Sequence, residues 1–437
     1  MAAGEATRDD GELLVGESNF VKFVQNCCTT YIVFTIGIIM QRSMLAGVLD
    51  LALGDHHSMI LKQDGSVWGT PITLRGNGPA PDASTYFEQV IPSGAIAVAA
   101  GNYYTIVLKG DGSVWTMGRN YQGQLGDGTK VRKDNFFLAK TIPGANAVAA
   151  GGAHTMVVTH TGDVWAAGWN KYGQLGSGIL PFSTVFVSVV EDVAEAVATG
   201  DAHTVVLLKD GSVWSAGRNH HGQLGDGLKV RRVSFVKVIP DGAARATAGA
   251  HHTMVLRYNG SVWVTGCNEY GQLGDGTTID RVSFTLVVAS GVKSIAAGSR
   301  HSMMLKQDGS VWATGYNRYG QLGDVTAISR NKFVQVISDG VKIVAAGSFH
   351  SMVLKEDGSI WATGANRYGQ FGNGLTKSKR TFIKVLPLGN GAGQSHIYVD
   401  YLQMASRTGN CFSKQCHNLP VPSWSNFDNI LILCTFV

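Results

Sequence analysis

The sequence predicts an all-β protein, a seven-bladed β-propeller of four-stranded antiparallel blades. Three observations support this class. A tryptophan-centred phrase occurs seven times, each copy has a tight-turn dipeptide between two apolar strands, and the strand that holds the tryptophan is apolar on both faces. Tandem repeats of roughly 40–50 residues built from short strands are typical of propellers.

The repeat is marked by seven tryptophans at nearly constant spacing. The intervals are 47, 50, 49, 49, 49 and 49 residues between Trp68, Trp115, Trp165, Trp214, Trp263, Trp312 and Trp361. In the sixth copy the phrase reads AAGSRHSMMLKQDGSVWATGYNRYGQLGD over residues 296–324. The copies cover residues 46–388, so we expect one propeller there, flanked by non-repeating segments at 1–45 and 389–437.

Each copy divides into strands and turns. In the sixth copy, HSMMLK and SVWATG are predicted strands joined by Asp308-Gly309, a dipeptide that favours a hairpin. GQLG at 320–323 is predicted as a short third strand, and FVQVI at 333–337 as the fourth. The third copy has Thr161-Gly162 at the hairpin, where a different turn is expected because Thr tolerates positive φ poorly.

The tryptophan strand explains why the sheets form a ring. Val311 and Trp312 point to opposite faces of their strand because side chains alternate, and both positions are apolar in every copy. Both faces must therefore be covered, as they are in a blade that lies between two neighbours. Seven such blades close into a ring with short, protected edges.

The first 45 residues contain an acidic stretch followed by an apolar one. Residues 1–19 carry five acidic side chains against Arg8, the wrong sign for a signal peptide or a basic tail. Within residues 24–40 the unbroken apolar part, Tyr31–Met40, is shorter than the roughly 20 residues that cross a bilayer. We expect this segment to pack against the propeller in a cytoplasmic protein, with membrane association through residues 24–40 as the alternative.

The composition limits the functional classes. Charged residues make up 15% of the chain and the formal net charge is +5, so no specific nucleic-acid binding is expected. Of the six cysteines only Cys267 lies inside the repeats, which excludes a periodic disulfide scaffold. The sequence has no phosphate-binding loop, HExxH pair or nucleophile elbow, so no enzyme activity is predicted.

The phrase AAGxxH followed by DGSVWxxGxNxxGQLGDG resembles the repeat of the regulator of chromosome condensation family. Its first part recurs almost verbatim at 148–158, 197–207, 246–256, 295–305 and 344–354. The resemblance implies a seven-bladed propeller. It implies either a non-enzymatic platform that binds a protein partner or, as the alternative, a guanine-nucleotide exchange factor for a small GTPase.

Sequence features that characterise two members of this family are missing from this chain. The family's plant photoreceptor carries Trp in a GWRH phrase, whereas the matching positions here are Asp55, Asn102, Gly152, Asp201, Ala250, Ser299 and Ser348. The family's exchange factor for Ran inserts an extra β-hairpin, and the constant spacing of the repeats leaves no room for one. The interaction platform is therefore the preferred hypothesis.

One repeat position is a histidine in six copies: His57, His154, His203, His252, His301 and His350, with Tyr104 in the second copy. A ring of histidines suggests a metal or proton-sensing site. Tyrosine is a poor ligand for divalent metals, so we predict structural residues, each hydrogen-bonded within its own blade. The tryptophans are likewise predicted as structural positions.

Another repeat position is cationic in five copies: Lys133, Arg232, Arg281, Arg330 and Lys379, with further cations nearby at Lys130, Arg132, Lys229, Arg231, Lys332, Lys377 and Arg380. An arc of cations favours an acidic protein tail, a phosphorylated peptide or an anionic surface as partner. At the aligned position the preferred interpretation is that the cations belong to the repeat and bond loop carbonyls, and the neighbouring cations are then the more functional part. Asp127, Asp226, Asp275 and Asp324, which follow GQLG, are predicted to stabilise turns.

No cofactor and no metal site are predicted. The histidine ring is explained structurally, and Cys411, Cys416 and His417 have no second matching pair. We expect a monomer that binds a protein partner, either an acidic protein or a small GTPase.

Overall fold

The computed structural model describes residues 47–70, 85–178 and 180–385, which form seven four-stranded antiparallel sheets. The predicted fold class is confirmed: this part of the chain contains strands and turns but no helix. Within each sheet the strands are ordered as they occur in the sequence, as in β21-β22-β23-β24 of blade six.

The strands of the first four blades have the following bounds. Blade one contains β1 (Val48–Leu53), β2 (Ser58–Lys62), β3 (Val67–Gly69) and β4 (Glu88–Ile91). Blade two contains β5 (Ala95–Ala100), β6 (Tyr104–Lys109), β7 (Ser113–Gly118) and β8 (Lys133–Thr141). Blade three contains β9 (Ala145–Ala150), β10 (His154–Thr159), β11 (Val164–Trp169) and β12 (Phe182–Val190). Blade four contains β13 (Ala194–Thr199), β14 (His203–Leu208), β15 (Val213–Gly217) and β16 (Arg232–Ile239).

The last three blades repeat the pattern. Blade five contains β17 (Ala243–Ala248), β18 (His252–Arg257), β19 (Val262–Gly266) and β20 (Arg281–Val288). Blade six contains β21 (Val292–Ala297), β22 (His301–Lys306), β23 (Val311–Gly315) and β24 (Arg330–Ile337). Blade seven contains β25 (Val341–Ala346), β26 (His350–Lys355), β27 (Ile360–Gly364) and β28 (Lys379–Lys384).

The prediction that GQLG forms the third strand of a blade is wrong. Gly320 and Gly323 have φ angles of +82° and +78°, and the Gly323 amide donates to the Gly320 carbonyl at 3.0 Å. These angles belong to tight turns and not to an extended strand. The strand that the prediction missed is the first of each blade, such as β21, which ends with the two alanines of the AAG phrase.

The hairpin of the third copy differs from the others in its backbone and its hydrogen bonds. Gly162 has a φ of +113°, whereas the hairpin glycine of every other blade lies between 74° and 80°. In blade six Asp308 accepts a bond from the Ser310 amide, but in blade three Asp163 takes bonds from Thr161 and from the Asp192 amide. The expectation of a different turn is confirmed.

The core consists of apolar layers between neighbouring blades. Val311 packs with Val341 and Val353 of blade seven, while Trp312 packs against Met254 and Val262 of blade five. The two faces of strand β23 are thus covered by different neighbours, as the alternation of side chains predicted.

The ring closes between blades seven and one. Leu51 and Ile60 of blade one share an apolar cluster with Met352 and Leu354 of blade seven. Strand β1 contacts β25, just as the first strands of other neighbouring blades contact each other. No blade among the described residues is therefore left with a bare flank.

The predictions for residues 1–45, including the apolar stretch 24–40, and for residues 389–437 lie outside the described residues. In the part of the chain that the structure describes, no helix is long and apolar enough to cross a membrane. Each blade has four strands, and the residues that the structure describes contain no additional inserted hairpin.

Candidate interaction surface

The connections between strands divide the propeller into two ends. At one end lie the link from the first to the second strand and the long loop from the third to the fourth strand, which in blade six are residues 298–300 and 316–329. We call this end the loop face. The opposite end carries the short hairpins, such as Asp308-Gly309, and is called the hairpin face.

The repeat histidines connect neighbouring blades at the loop face. His301 of blade six bonds through Nε2 to the Ser351 hydroxyl of blade seven at 2.9 Å, and that hydroxyl donates to the Gln321 carbonyl of blade six at 2.8 Å. The same contact joins His350 to Ser58 across the closing interface, also at 2.9 Å. Bonding within a single blade, as predicted, is therefore wrong. The partner hydroxyl belongs to the next blade.

The hydrogen bonds assign the protonation of these rings. The Ser351 hydroxyl donates its only proton to the Gln321 carbonyl, so it can only accept from His301. His301 therefore donates from Nε2, and its Nδ1 is unprotonated. Burial lowers the pKa of His57, His154, His252 and His350 to about 3 and that of His301 to about 4. At neutral pH these imidazoles are uncharged and structural. Tyr104 replaces the contact in blade two by donating to the His154 carbonyl.

A buried asparagine organises each long loop. Asn317 is fully buried; its Nδ2 donates to Asp324 Oδ1 at 2.8 Å and to the Ile328 carbonyl at 3.2 Å, and its Oδ1 accepts from the Leu322 amide. Asp324 in turn accepts from the Thr326 amide. The carboxylate thus stabilises the turn, and the loop is held at both ends by buried bonds.

The aligned cations mostly pair with these aspartates. Arg330 contacts Asp324 at 2.8 Å, Arg281 contacts Asp275 at 2.6 Å, Arg232 contacts Asp226 at 2.6 Å and Lys133 contacts Asp127 at 3.5 Å. Burial alone would raise the pKa of Asp324, but hydrogen bonds from Thr326, Arg330 and Asn317 hold it below its ordinary value. These cations therefore bond to carboxylates within their own loops.

Lys379 is different from the other aligned cations. The residue after its turn is Asn373 instead of an aspartate, so the loop of blade seven supplies no carboxylate at that position. Four of the five predicted binding cations are thus neutralised in place, and only the fifth lacks this partner.

The outer edge of the loop face carries a row of exposed aliphatic side chains that sequence reasoning missed. Five blades in succession present one at the same point of the long loop, each 61–66% exposed: Val131, Leu180, Val230, Ile279 and Ile328. We call this row the rim. Hydrogen bonds hold the backbone of the rim in place. In each of the five blades the buried loop asparagine donates to the carbonyl of the rim residue at 2.7–3.2 Å.

The signal for the rim was present in the sequence. In blades two and four the aliphatic residue stands between cations, as Lys130-Val131-Arg132 and Lys229-Val230-Arg231. An apolar residue that recurs at one loop position, outside every strand pattern, has no core to fill. The sequence-based prediction assigned binding to the cations and did not consider the aliphatic residues between them.

Exposed cations surround the rim. Lys229, Lys377, Arg318 and Arg367 are exposed on the long loops, and no ion pair with them is found within the described ranges. Arg132 pairs with Asp134, and Lys130 lies over the Phe182 ring. The loop face therefore keeps free positive charge, although not at the aligned positions.

A second group of side chains on the loop face is aromatic. We call the following residues the collar: Tyr103, Trp169, Tyr172, Tyr270, Tyr316, Tyr319, Phe349 and Tyr368. Six of them contact one another in edge-to-face pairs, whereas Tyr103 and Tyr368 each form a tilted pair with the His56 ring. Arg119, Arg218 and Arg300 lie over collar tyrosines at 5.0–5.4 Å. At the axis, a cavity of about 300 Å³ is lined by the glycine links of all seven blades.

The repeat tryptophans lie inside the blades, away from the loop face. Six of them donate from the indole nitrogen to the serine two residues earlier, as Trp312 does to Ser310 at 3.1 Å. A basic side chain covers each ring, such as Lys306 over Trp312 at 4.1 Å. Their environment is that of packing residues.

Two family models with the description "Regulator of chromosome condensation (RCC1) repeat" match the sequence. One matches residues 95–124, 146–174, 194–223, 292–321 and 341–370. The other matches residues 111–158, 210–256, 259–305 and 308–354. A search of curated proteins gives no match.

Solved propellers have the same fold at low sequence identity. The human WBSCR16 structure is 21% identical with a TM-score of 0.64, over 71% of this chain and 87% of that one. Yeast RCC1 (Prp20), solved with Kap60, is 19% identical with a TM-score of 0.63, over 81% and 87%. Prp20p from Saccharomyces cerevisiae, described with its binding to Gsp1p and histones, is 18% identical with a TM-score of 0.63, over 82% and 96%.

Proposed function

Because the chain belongs to the regulator of chromosome condensation (RCC1) repeat family, we propose that it is a non-enzymatic platform that binds an acidic protein partner on the rim of the loop face. The observation that carries the proposal is the row of five aliphatic side chains, each 61–66% exposed. Apolar surface that recurs in register on consecutive blades marks a binding surface, whereas scattered apolar residues would not.

The backbone of the rim is preorganised for binding. Each rim carbonyl is bonded to a buried asparagine, so the loop backbone has little conformational freedom left to lose. Association costs less free energy when the binding surface is already ordered. The collar contributes tyrosine and tryptophan, and arginines lie over its tyrosine rings. These three residue types dominate interface energetics.

The charge of the loop face indicates an acidic partner. Lys229, Lys377, Arg318 and Arg367 are exposed around the rim and the collar. Charges at the edge of an interface mainly raise the association rate and select against partners of like charge. A partner segment with acidic side chains interspersed with apolar ones fits both features.

The yeast relative supports the general class of partner. Prp20p is described with binding to Gsp1p and histones, so one propeller of this fold binds proteins. For this chain we propose only that it, too, binds a protein, and that the partner contacts the rim.

Charging the rim tests the proposal. The triple variant Val230→Glu, Ile279→Glu, Ile328→Glu keeps every loop hydrogen bond, because the asparagines bind backbone carbonyls. Tagged full-length protein is isolated from its cells at two salt concentrations, and retained proteins are quantified by mass spectrometry. We expect acidic proteins that wild type retains to be lost from the triple variant and to weaken with salt.

A matched control charges the other end of the ring. Ile96, Val193 and Tyr258 are exposed apolar residues at the hairpin face, 43%, 44% and 71% exposed. Their triple glutamate variant adds the same charge and should retain the wild-type partners. Equal retention by the rim variant, or loss from both variants alike, would contradict a rim site.

A further inference from the structure

Four side chains with metal-binding chemistry meet on the loop face where blades four and five adjoin. His221 comes from the long loop of blade four, while His251, Cys267 and Asp280 come from blade five. Ligand atoms of His221, Cys267 and Asp280 lie within 4.8 Å of one another. The His251 ring stacks on His221 with centroids 5.6 Å apart and planes at 27°.

None of these residues is needed for the fold, because other blades fold without them. The His221 position is tyrosine in blades three, five, six and seven: Tyr172, Tyr270, Tyr319 and Tyr368. In blades two, three, four, six and seven the Cys267 position holds arginine, tryptophan, tyrosine or alanine. The Asp280 position holds arginine or serine in blades two, four, six and seven. Departures from the repeat at distant sequence positions thus converge on one point in space.

The carboxylate is oriented toward this point by the backbone. Asp280 Oδ1 accepts from the Asn268 amide at 2.8 Å, which leaves Oδ2 directed at His221 Nδ1, 2.9 Å away. A hydrogen bond to the second oxygen of a ligating carboxylate is the usual way in which proteins hold such a ligand in place. The Cys267 side chain is 6% exposed, and His251 Nδ1 is buried without a hydrogen-bond partner.

We propose that His221, Cys267 and Asp280 bind a Zn²⁺ ion, with the His251 ring stacked on His221 beside them. Thiolate, imidazole and carboxylate are the three ligand types that zinc takes in proteins. On binding, the Cys267 thiol releases its proton to solvent, and the proton that His221 Nδ1 donates to Asp280 is replaced by one on Nε2 through exchange with solvent, so that Nδ1 and the carboxylate each bond to the ion. The ion would join the loops of blades four and five. This site was not predicted from the sequence, where Cys267 stood alone in the repeats.

Cobalt provides a direct probe of the thiolate. Chelator-treated full-length protein is titrated with Co²⁺ and followed by absorption, because a thiolate ligand produces an intense charge-transfer band. Zn²⁺ competition and calorimetry then give affinity and stoichiometry. We expect one ion per chain at this site, a thiolate band, and its displacement by Zn²⁺.

Variants taken from other blades keep the test independent of folding. Cys267→Ala and His221→Tyr introduce residues that blade seven already holds at Ala365 and Tyr368. We expect the thiolate band to disappear in the first variant and zinc affinity to fall on the order of 100-fold in both, while His220→Ala, at the exposed neighbour, changes neither. An unchanged band in Cys267→Ala would overturn the proposal and assign the thiolate ligand to one of the five cysteines outside the repeats. Absence of a band in wild type would leave only the His221–Asp280 hydrogen bond and overturn the proposal equally.

Discussion

At the scale of the residue, the repeat histidines form hydrogen bonds between neighbouring blades. Each donates from Nε2 to a serine or threonine hydroxyl of the next blade at 2.9–3.0 Å, as His203 does to Thr253 and His252 to Ser302. Gly298 precedes this contact because a side chain there would lie 2.3 Å from the His301 ring. The repeat phrase AAGxxH therefore encodes an interface between blades.

These histidines predict a steep loss of stability in acid. The unfolded chain protonates its imidazoles below their ordinary pKa of 6.5, whereas burial keeps the pKa of His57, His154, His252 and His350 near 3 in the folded state. The unfolded state therefore binds more protons between these values, so stability is full above pH 6.5 and falls as the pH drops toward 3. Each buried imidazole contributes about 1.4 kcal/mol per pH unit to that slope.

Urea unfolding followed by tryptophan fluorescence between pH 7.5 and pH 4.5 measures this slope. His301→Gln removes one titrating group and offers an amide donor in place of Nε2, so its slope should be shallower by about one proton. A free energy of unfolding that stays constant from pH 6.5 to pH 4.5 would contradict the assigned protonation.

The repeat pattern identified these residues but not their partners. Six histidines in register indicated a shared structural role, yet the hydroxyl that each one meets lies about 50 positions onward in the next blade. The aligned cations show the same limit. The aspartate and arginine of one loop were each noticed, but their contact arises only because two consecutive turns fold the loop back on itself.

At the scale of the element, the long loop after the third strand is the part that sequence reasoning placed least well. GQLG was predicted as a short strand flanked by glycines. In the structure Leu322 is buried between blades by two consecutive tight turns. Only the positive φ angles of the glycines distinguish the two cases, and glycine itself is compatible with both.

Two glycine variants in blade six test this turn. A Cβ on Gly323 would lie 2.5 Å from the Phe382 ring of blade seven, whereas a Cβ on Gly340 meets no atom within 4 Å. Their φ angles are close, at +78° and +72°, so the backbone strain of an alanine is similar in both. Gly323→Ala should therefore cost about 1–3 kcal/mol more than Gly340→Ala in urea unfolding, because it overpacks the interface. Equal costs would show that the turn does not pack against the next blade.

At the scale of the whole molecule, the sequence was sufficient for the architecture. Seven tryptophans in register gave the number of blades, and apolar residues on both faces of their strand required neighbours on both sides. Each interface between neighbouring blades has its own apolar cluster, including the one that joins blade seven to blade one. The binding surface was harder to predict because exposure depends on how loops fold above the sheets. Val230 and Ile279 look like core residues when only their side chains are considered.

A site-specific photo-crosslink tests the central claim most directly. A photoreactive phenylalanine analogue is placed at Ile328 on the rim or at Tyr258 on the hairpin face, and the full-length protein is irradiated in its own cells. The proposed function predicts a covalent adduct with an acidic protein from position 328 and none from position 258. An adduct that forms from position 258 alone would contradict it.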